Sequence, residues 1–121
     1  IFNDFLNMLK KENYIIEFLT RGAVKSLTIA KLPGKIERRL DFLYSPPKEF
    51  SYAILYFTGS KAFNTGMRAK ALKMGYSLSE HGIKKTDGTL VKKIFRDEKD
   101  ILEFLDVQWL HPKDREHPSL L

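Results

Sequence analysis

Asp41 is the residue whose surroundings most need a chemical explanation. It stands inside Leu40-Asp41-Phe42-Leu43-Tyr44, an apolar run suited to a β-strand. A carboxylate in such a strand is costly unless it is paired or binds a cation. Arg38 and Arg39 lie just upstream, and strand alternation puts Arg39 on the same face as Asp41. On spacing alone, pairing with one of these arginines ranks ahead of metal binding. A second set of candidates follows Pro46-Pro47. Asn64 and Arg68 fall one helical turn apart in a helix-like stretch, and Glu80 follows that stretch. The plain alternatives are a solvated helix charge for Arg68, a loop charge for Glu80, and core packing for Tyr56 and Phe57. His81, His111 and His117 show no metal-ligand spacing.

Positioning these groups requires a folded chain, and the composition fits one. The 121 residues are 43% hydrophobic and 30% charged, close to folded globular averages and far from those of disordered chains. This length suits one domain or two small lobes and excludes a large multi-domain enzyme. Cysteine is absent, which excludes disulfides, thiol nucleophiles and thiolate metal sites and points to an intracellular setting. No apolar run approaches the roughly 18 residues of a membrane span, and no signal-peptide pattern opens the chain. The absence of an initial Met fits a segment of something longer. Lys and Arg number 21 against 15 Asp and Glu, a net charge of +6 that favours an anionic partner such as nucleic acid.

The apolar periodicity then suggests the elements. Phe2, Phe5, Leu6 and Leu9 form one face of a helix over residues 1–11. Strands are predicted over Tyr14 to Leu19, Ala23 to Leu32 and Lys35 to Ser45, the last two forming a hairpin around Pro33-Gly34. Pro46-Pro47 marks the boundary between two lobes. A helix over Lys48 to Phe57 would bury Phe50, Ala53, Ile54 and Phe57. A second, capped by Ser60 and stopped by Gly75, would bury Phe63, Met67, Ala71 and Met74. Short strands are expected at Tyr76 to Leu78, Gly82 to Lys84 and Leu90 to Ile94, with a tight turn at 86–89. Asp97 to Asp100 opens a last helix that buries Ile101, Leu102 and Leu105. The tail from His111 to Pro118 reads as surface.

Several segments in this order resemble the X family of DNA polymerases, especially its template-dependent repair members of the beta and lambda type. They are Arg38-Arg39-Leu40-Asp41, Leu55-Tyr56-Phe57-Thr58-Gly59-Ser60, Phe63-Asn64, Met67-Arg68-Ala69, Gly75-Tyr76-Ser77-Leu78-Ser79-Glu80, Glu98-Lys99-Asp100-Ile101 and Pro112-Lys113-Asp114-Arg115. The resemblance covers nearly the whole chain. It implies an α+β fold: residues 1–46 as the end of an antiparallel palm sheet with a helix, and residues 47–121 as a thumb of three helices with a short irregular sheet.

In that family a primer hydroxyl attacks the α-phosphate of a deoxynucleoside triphosphate, with two divalent ions, here Mg2+, neutralising the charge. The resemblance makes Asp41 the third metal-binding aspartate and Arg39 its arginine neighbour among the catalytic groups. Tyr56, Phe57 and Gly59 match the segment that packs on the sugar and selects deoxyribose, with Gly59 permitting close approach. Asn64 matches the residue that bonds the minor-groove edge of the incoming base. Lys61 occupies the position over the base, where the commoner family residue differs. Arg68 matches the arginine that reaches the template strand, and Glu80 its acidic counterpart. Lys25, on the strand before Asp41, is a candidate for phosphate contact. Template-independent members tend to carry Gly-Trp where this chain has Tyr56-Phe57, which favours template-directed synthesis.

The chain departs from the family pattern upstream of Asp41. It has no Gly-Asp-x-Asp segment, and residues 12–37 contain no Asp; one carboxylate cannot hold two ions. The piece is therefore expected to be inactive alone while belonging to a monomeric, gap-filling DNA polymerase that meets primed or gapped DNA, touches no membrane, and is nuclear if eukaryotic. The competing readings are a stand-alone nucleotide- or DNA-binding module of the same descent without catalysis, and a basic protein-interaction domain without ligand.

Overall fold

A computed structural model describes residues 1–89, 91 and 93–116. The chain divides into two units, Ile1–Ser45 and Pro46–Leu121. The first begins with helix α1 (Phe2–Lys11), which has Asp4 in its first turn and Lys10 and Lys11 in its last, matching the helix dipole at both ends. Leu6 is its fully buried residue. Three antiparallel strands follow in the spatial order β1 (Ile15–Arg21), β2 (Lys25–Ala30) and β3 (Arg38–Leu43). The Arg21 guanidinium donates to the side chains of Asn3 and Asn7, tying α1 to the end of β1.

One face of the sheet lies under α1. Phe5 meets Phe42 edge-on with ring centroids 5.8 Å apart, and Phe2 meets Tyr44 at 6.4 Å. Of the β2 residues on that face, Ser26 and Thr28 are wholly buried. A buried hydroxyl needs a partner: Ser26 Oγ donates to the Thr20 carbonyl at 2.9 Å and Thr28 Oγ1 to the Leu40 carbonyl at 2.7 Å. The hairpin connection is longer than Pro33-Gly34 suggests, because Ala30 pairs with Arg38 and leaves 31–37 outside the ladder. Nor is β3 a buried run. As an edge strand of the described sheet, it leaves Leu40 and Leu43 each 46% exposed.

The second unit opens with a 3-10 turn at Pro47–Glu49, followed by α2 (Phe50–Thr58) and α3 (Lys61–Lys73). A small hairpin of β4 (Tyr76–Ser79) and β5 (Gly82–Lys85) follows, then α4 (Glu98–Phe104). Side-chain caps start two of the helices. Ser60 Oγ accepts from Phe63 N at 3.2 Å, and Asp97 Oδ1 accepts from Asp100 N at 3.0 Å. The core gathers Tyr52 and Leu55 of α2, Phe63, Met67 and Ala71 of α3, Leu78 and Ile83 of the hairpin, and Ile101, Leu102, Leu105 and Val107.

Four expectations fail here, the first at Met74, which lies at the C-cap of α3 and is 41% exposed rather than part of its buried stripe. In α2 the buried residues are Tyr52 and Leu55, while Phe50, Ile54 and Phe57 are exposed. The helix is apolar nearly all round, so its periodicity could not choose a face. Val91, Lys93 and Ile94 form no strand, and Leu90 and Lys92 lie outside the described residues. The tail is also not simply surface, although its His117 and Pro118 are likewise not described. Arg115 is completely buried after a 3-10 turn at Pro112–Asp114.

Arg115 binds Glu98 through two hydrogen bonds, Nη1 to Oε2 at 3.1 Å and Nη2 to Oε1 at 3.0 Å, and its Nε donates to the Leu110 carbonyl at 2.9 Å. Its guanidinium faces the rings of Trp109 and Phe63 at 5.0 and 5.6 Å. Arg115→Ala would leave the Glu98 carboxylate without its partner, so urea unfolding should show a loss of about 3–5 kcal/mol; a loss under about 1 kcal/mol would contradict the anchor role. Burial pushes the Tyr52 phenol up to about 12. Because this folded value lies above the unfolded value near 10, the stability it contributes is complete below pH 10 and lost as pH rises towards 12. Stability measured by circular dichroism should fall over that interval, and Tyr52→Phe should flatten the dependence.

Candidate functional site

In the first unit, strand register decides which candidates meet. Leu27 pairs with Asp41, Ile29 with Arg39 and Lys25 with Leu43. Arg39, Asp41 and Lys25 therefore stand on the sheet face opposite α1, with Lys25 diagonal to Asp41 across the β2–β3 ladder. Arg39 Nε donates to Asp41 Oδ1 at 2.8 Å, and both side chains are about half exposed. In so wet a setting the pair contributes no more than about 0–1 kcal/mol, so Asp41 remains open to a stronger cationic partner. Carboxylate oxygen suits Mg2+, but Asp41 offers one carboxylate. Among the described residues no group of three or more His, Asp or Glu could hold a metal ion.

In the second unit, candidates gather around the junction of α2 and α3. Gly59 joins the helices at φ 67°, where an added Cβ would be strained and would lie 3.4 Å from Lys61 N. The Gly59–Ser60 peptide is cis. The turn is held from the far end of the unit: Ser60 Oγ donates to the Arg115 carbonyl at 2.7 Å, and Ser60 N donates to the same oxygen at 3.3 Å. The sequence pointed to Pro112-Lys113-Asp114-Arg115 only as a matching segment. Nothing in its polar pattern signalled that Arg115 and Glu98 pair inside the fold.

Four of the predicted site residues meet here. Asn64 Nδ2 donates to the Tyr56 carbonyl at 2.7 Å, satisfying one of the acceptors that the end of α2 leaves without an intrahelical donor. Asn64 Oδ1 is buried with no hydrogen-bond partner. Arg68 Cζ lies 4.9 Å from the centre of the Tyr56 ring, and Arg68 Nη2 reaches Glu80 Oε2 at 3.4 Å. Tyr56 and Phe57 are edge-to-face at 4.8 Å. Phe57 and Lys61 point to solvent; Lys61 joins the local network only through its carbonyl, which accepts from Thr65 Oγ1. A neighbour missed in the sequence is His81, whose Nδ1 lies 2.9 Å from Glu49 Oε1 and whose Nε2 lies 3.7 Å from Glu80 Oε1.

The arrangement is a set of donors and rings held by contacts that can be exchanged. At 3.4 Å and with both partners over one-third exposed, Arg68–Glu80 is a weak pair. Arg68 can therefore leave Tyr56 and Glu80 for an anionic or acceptor-rich partner without a large penalty. Asn64 is more firmly placed, between α2 and α3.

A family model for the DNA polymerase beta thumb matches residues 53–116. Among curated proteins, DNA polymerase lambda of Rattus norvegicus is 34% identical over 134 residues, covering 96% of this chain and 23% of its own length. DNA polymerase lambda of Arabidopsis thaliana is 26% identical, over 92% of this chain and 25% of that protein. DNA polymerase IV of Saccharomyces cerevisiae is 30% identical, over 93% and 19%. The chain thus spans about a quarter or less of the length of these relatives. With the matched stretch taking in all four residues of the Tyr56–Asn64–Arg68–Glu80 cluster and the Arg115 anchor, this chain belongs to the DNA polymerase beta thumb family, the thumb region of X-family polymerases.

Proposed function

We propose that this chain is the end of the palm, residues 1–46, and the thumb, residues 47–121, of a template-directed X-family DNA polymerase that fills short gaps in DNA. The observation that carries this reading is the convergence of Tyr56, Asn64, Arg68 and Glu80 within the family-matched stretch. The similarity to DNA polymerases lambda and IV supports it. No described helix is long and apolar enough to cross a membrane, and the net charge of +6 suits a nucleic-acid partner.

Each side chain then has a task. Asp41 supplies one oxygen ligand for Mg2+, which when bound lowers the charge cost of nucleotidyl transfer. The remaining ligands must come from residues outside this sequence, so the piece alone is inactive. Arg39 holds the Asp41 carboxylate in place on the open sheet face. Lys25, on the same face, meets backbone phosphate and sets affinity without reading sequence. At the α2–α3 junction, Tyr56, Phe57 and Gly59 form the surface for the sugar, where the missing Gly59 side chain lets backbone approach the 2′ position. Asn64 donates to the minor-groove acceptor that all base pairs share, and Lys61 lies over the base. Arg68 exchanges Glu80 and the Tyr56 ring for the template strand. Selection then comes from closing on a correct pair before chemistry. The protein acts as a monomer and, in a eukaryote, in the nucleus.

In the intact polymerase, Asp41→Ala should lower nucleotide addition by about a thousandfold or more, the equivalent of several kcal/mol, with gapped-DNA affinity nearly unchanged. Substantial residual addition in a single-turnover assay would remove the ligand assignment. Arg68→Ala should reduce insertion efficiency and raise misinsertion by about tenfold, one template contact of about 1.4 kcal/mol. Wild-type misinsertion would exclude its template-side role.

A further inference from the structure

Glu80 has a second nitrogen partner that none of the roles above uses. Its carboxylate turns Oε2 to Arg68 Nη2 at 3.4 Å and Oε1 to His81 Nε2 at 3.7 Å. Both distances exceed the span of about 2.7–2.9 Å of a formed charge-assisted hydrogen bond, so the carboxylate is shared between two partners and committed to neither. His81 is held from elsewhere. Its Nδ1 lies 2.9 Å from Glu49 Oε1, at the end of the 3-10 turn that precedes α2, and its backbone N donates to Ser79 Oγ at 3.2 Å. The imidazole thus stands between the carboxylates of two different elements.

Protonation decides what such a ring can do. Carboxylates only accept, while a neutral imidazole has one N–H and one lone pair. A neutral ring that donates to Glu49 through Nδ1 presents a lone pair to Glu80, whereas an imidazolium donates to both. Histidine ordinarily changes charge between about pH 5 and 8. The charged groups that face this ring are Glu49 from the turn before α2, Glu80 beside it and, across the Glu80 carboxylate, Arg68 of α3. The His81 side chain is 73% exposed, so these contacts add little to stability.

Their consequence lies in the movement of Arg68. When Arg68 leaves beside a neutral His81, Glu80 is left with water and a lone pair. Beside a charged His81, Oε1 keeps a cation. Repulsion between an imidazolium and a guanidinium on the two oxygens of one carboxylate acts in the same direction. We propose that His81 is a positioning residue for template reading: as the imidazolium it takes over Glu80 when Arg68 turns to the template strand, so the exchange is easier at low pH than at high pH. The inference rests on the template-side role of Arg68 proposed above.

The test is single-turnover insertion of the matched nucleotide on gapped DNA by the intact polymerase, from about pH 6 to about pH 8.5. Each variant is expressed as a ratio to wild type, so that the pH dependence of the shared chemistry cancels. His81→Gln, neutral but still able to donate to Glu49, should be about threefold less efficient at the acid end and equal to wild type at the alkaline end. His81→Lys, charged throughout, should match wild type at the acid end and exceed it by about threefold at the alkaline end. With Glu80→Gln in place, neither substitution should have an effect, because no carboxylate remains to be taken over. A residue that only braced the turn would lose the same factor in both variants at every pH, with or without Glu80, and that pattern would overturn the proposal. Wild-type behaviour of both His81 variants beside an impaired Arg68→Ala would overturn it alone; wild-type insertion by Arg68→Ala would overturn it together with the reading it rests on.

Discussion

The buried pair of Arg115 and Glu98 is the interaction on which the second unit depends. A guanidinium without solvent exposure is tolerable only if its donors are met. Glu98 takes two of them and the Leu110 carbonyl a third. This arrangement fixes where the chain passes after Trp109, which places the Arg115 carbonyl under Ser60. Ser60 in turn caps α3 while the preceding Gly59 ends α2. The ion pair is thus linked through the Arg115 carbonyl to the turn between α2 and α3, the two helices that carry Tyr56, Asn64 and Arg68. Such a pair need not add net stability over an apolar substitute. Its consequence is geometric: each of the three guanidinium nitrogens has its own acceptor, and this ties residues 98, 110 and 115 together.

Against this rigid support, the exposed groups of the candidate sites are held lightly. Arg68–Glu80 and Arg39–Asp41 are exposed pairs, each worth at most about 1 kcal/mol. The contrast follows from solvent. Where water competes, a contact is cheap to exchange, and a side chain can move to a phosphate, a base or a metal ion. Where water is excluded, removing a partner leaves a charge unmet. The unit therefore combines a fixed frame with movable contacts, and the two are separated by burial rather than by residue type, since arginine and glutamate serve in both.

The first unit shows the same logic in a sheet. Its α1 side carries aromatic contacts and the satisfied hydroxyls of Ser26 and Thr28, whereas the opposite face carries Lys25, Arg39 and Asp41 in the open. The two-residue period of a strand makes this division automatic: once Phe42 faces the helix, Asp41 faces away. The register of β2 against β3 then brings Lys25 to the same side.

Much of this was legible in the residues. Ser60 as a cap, Gly59 as the break between helices, Phe63, Met67 and Ala71 as a buried stripe, and Arg39 beside Asp41 all follow from local rules that act within a turn or along one strand. The densely matching segments likewise marked Tyr56, Asn64, Arg68 and Glu80 before any geometry was known, and those four meet. Long-range choices were not legible. Which face of α2 is buried depends on where α3 and α4 lie, because Phe50, Ile54 and Phe57 are as apolar as Leu55 and only packing separates them. That a polar tail ends in a wholly buried arginine depends on Glu98, seventeen residues away. The sequence by itself determined most of the helices and strands and the side chains they carry, since those are set by neighbours in the chain. Only the tertiary structure decided which side chains lose water, because that depends on groups far apart in sequence meeting in space.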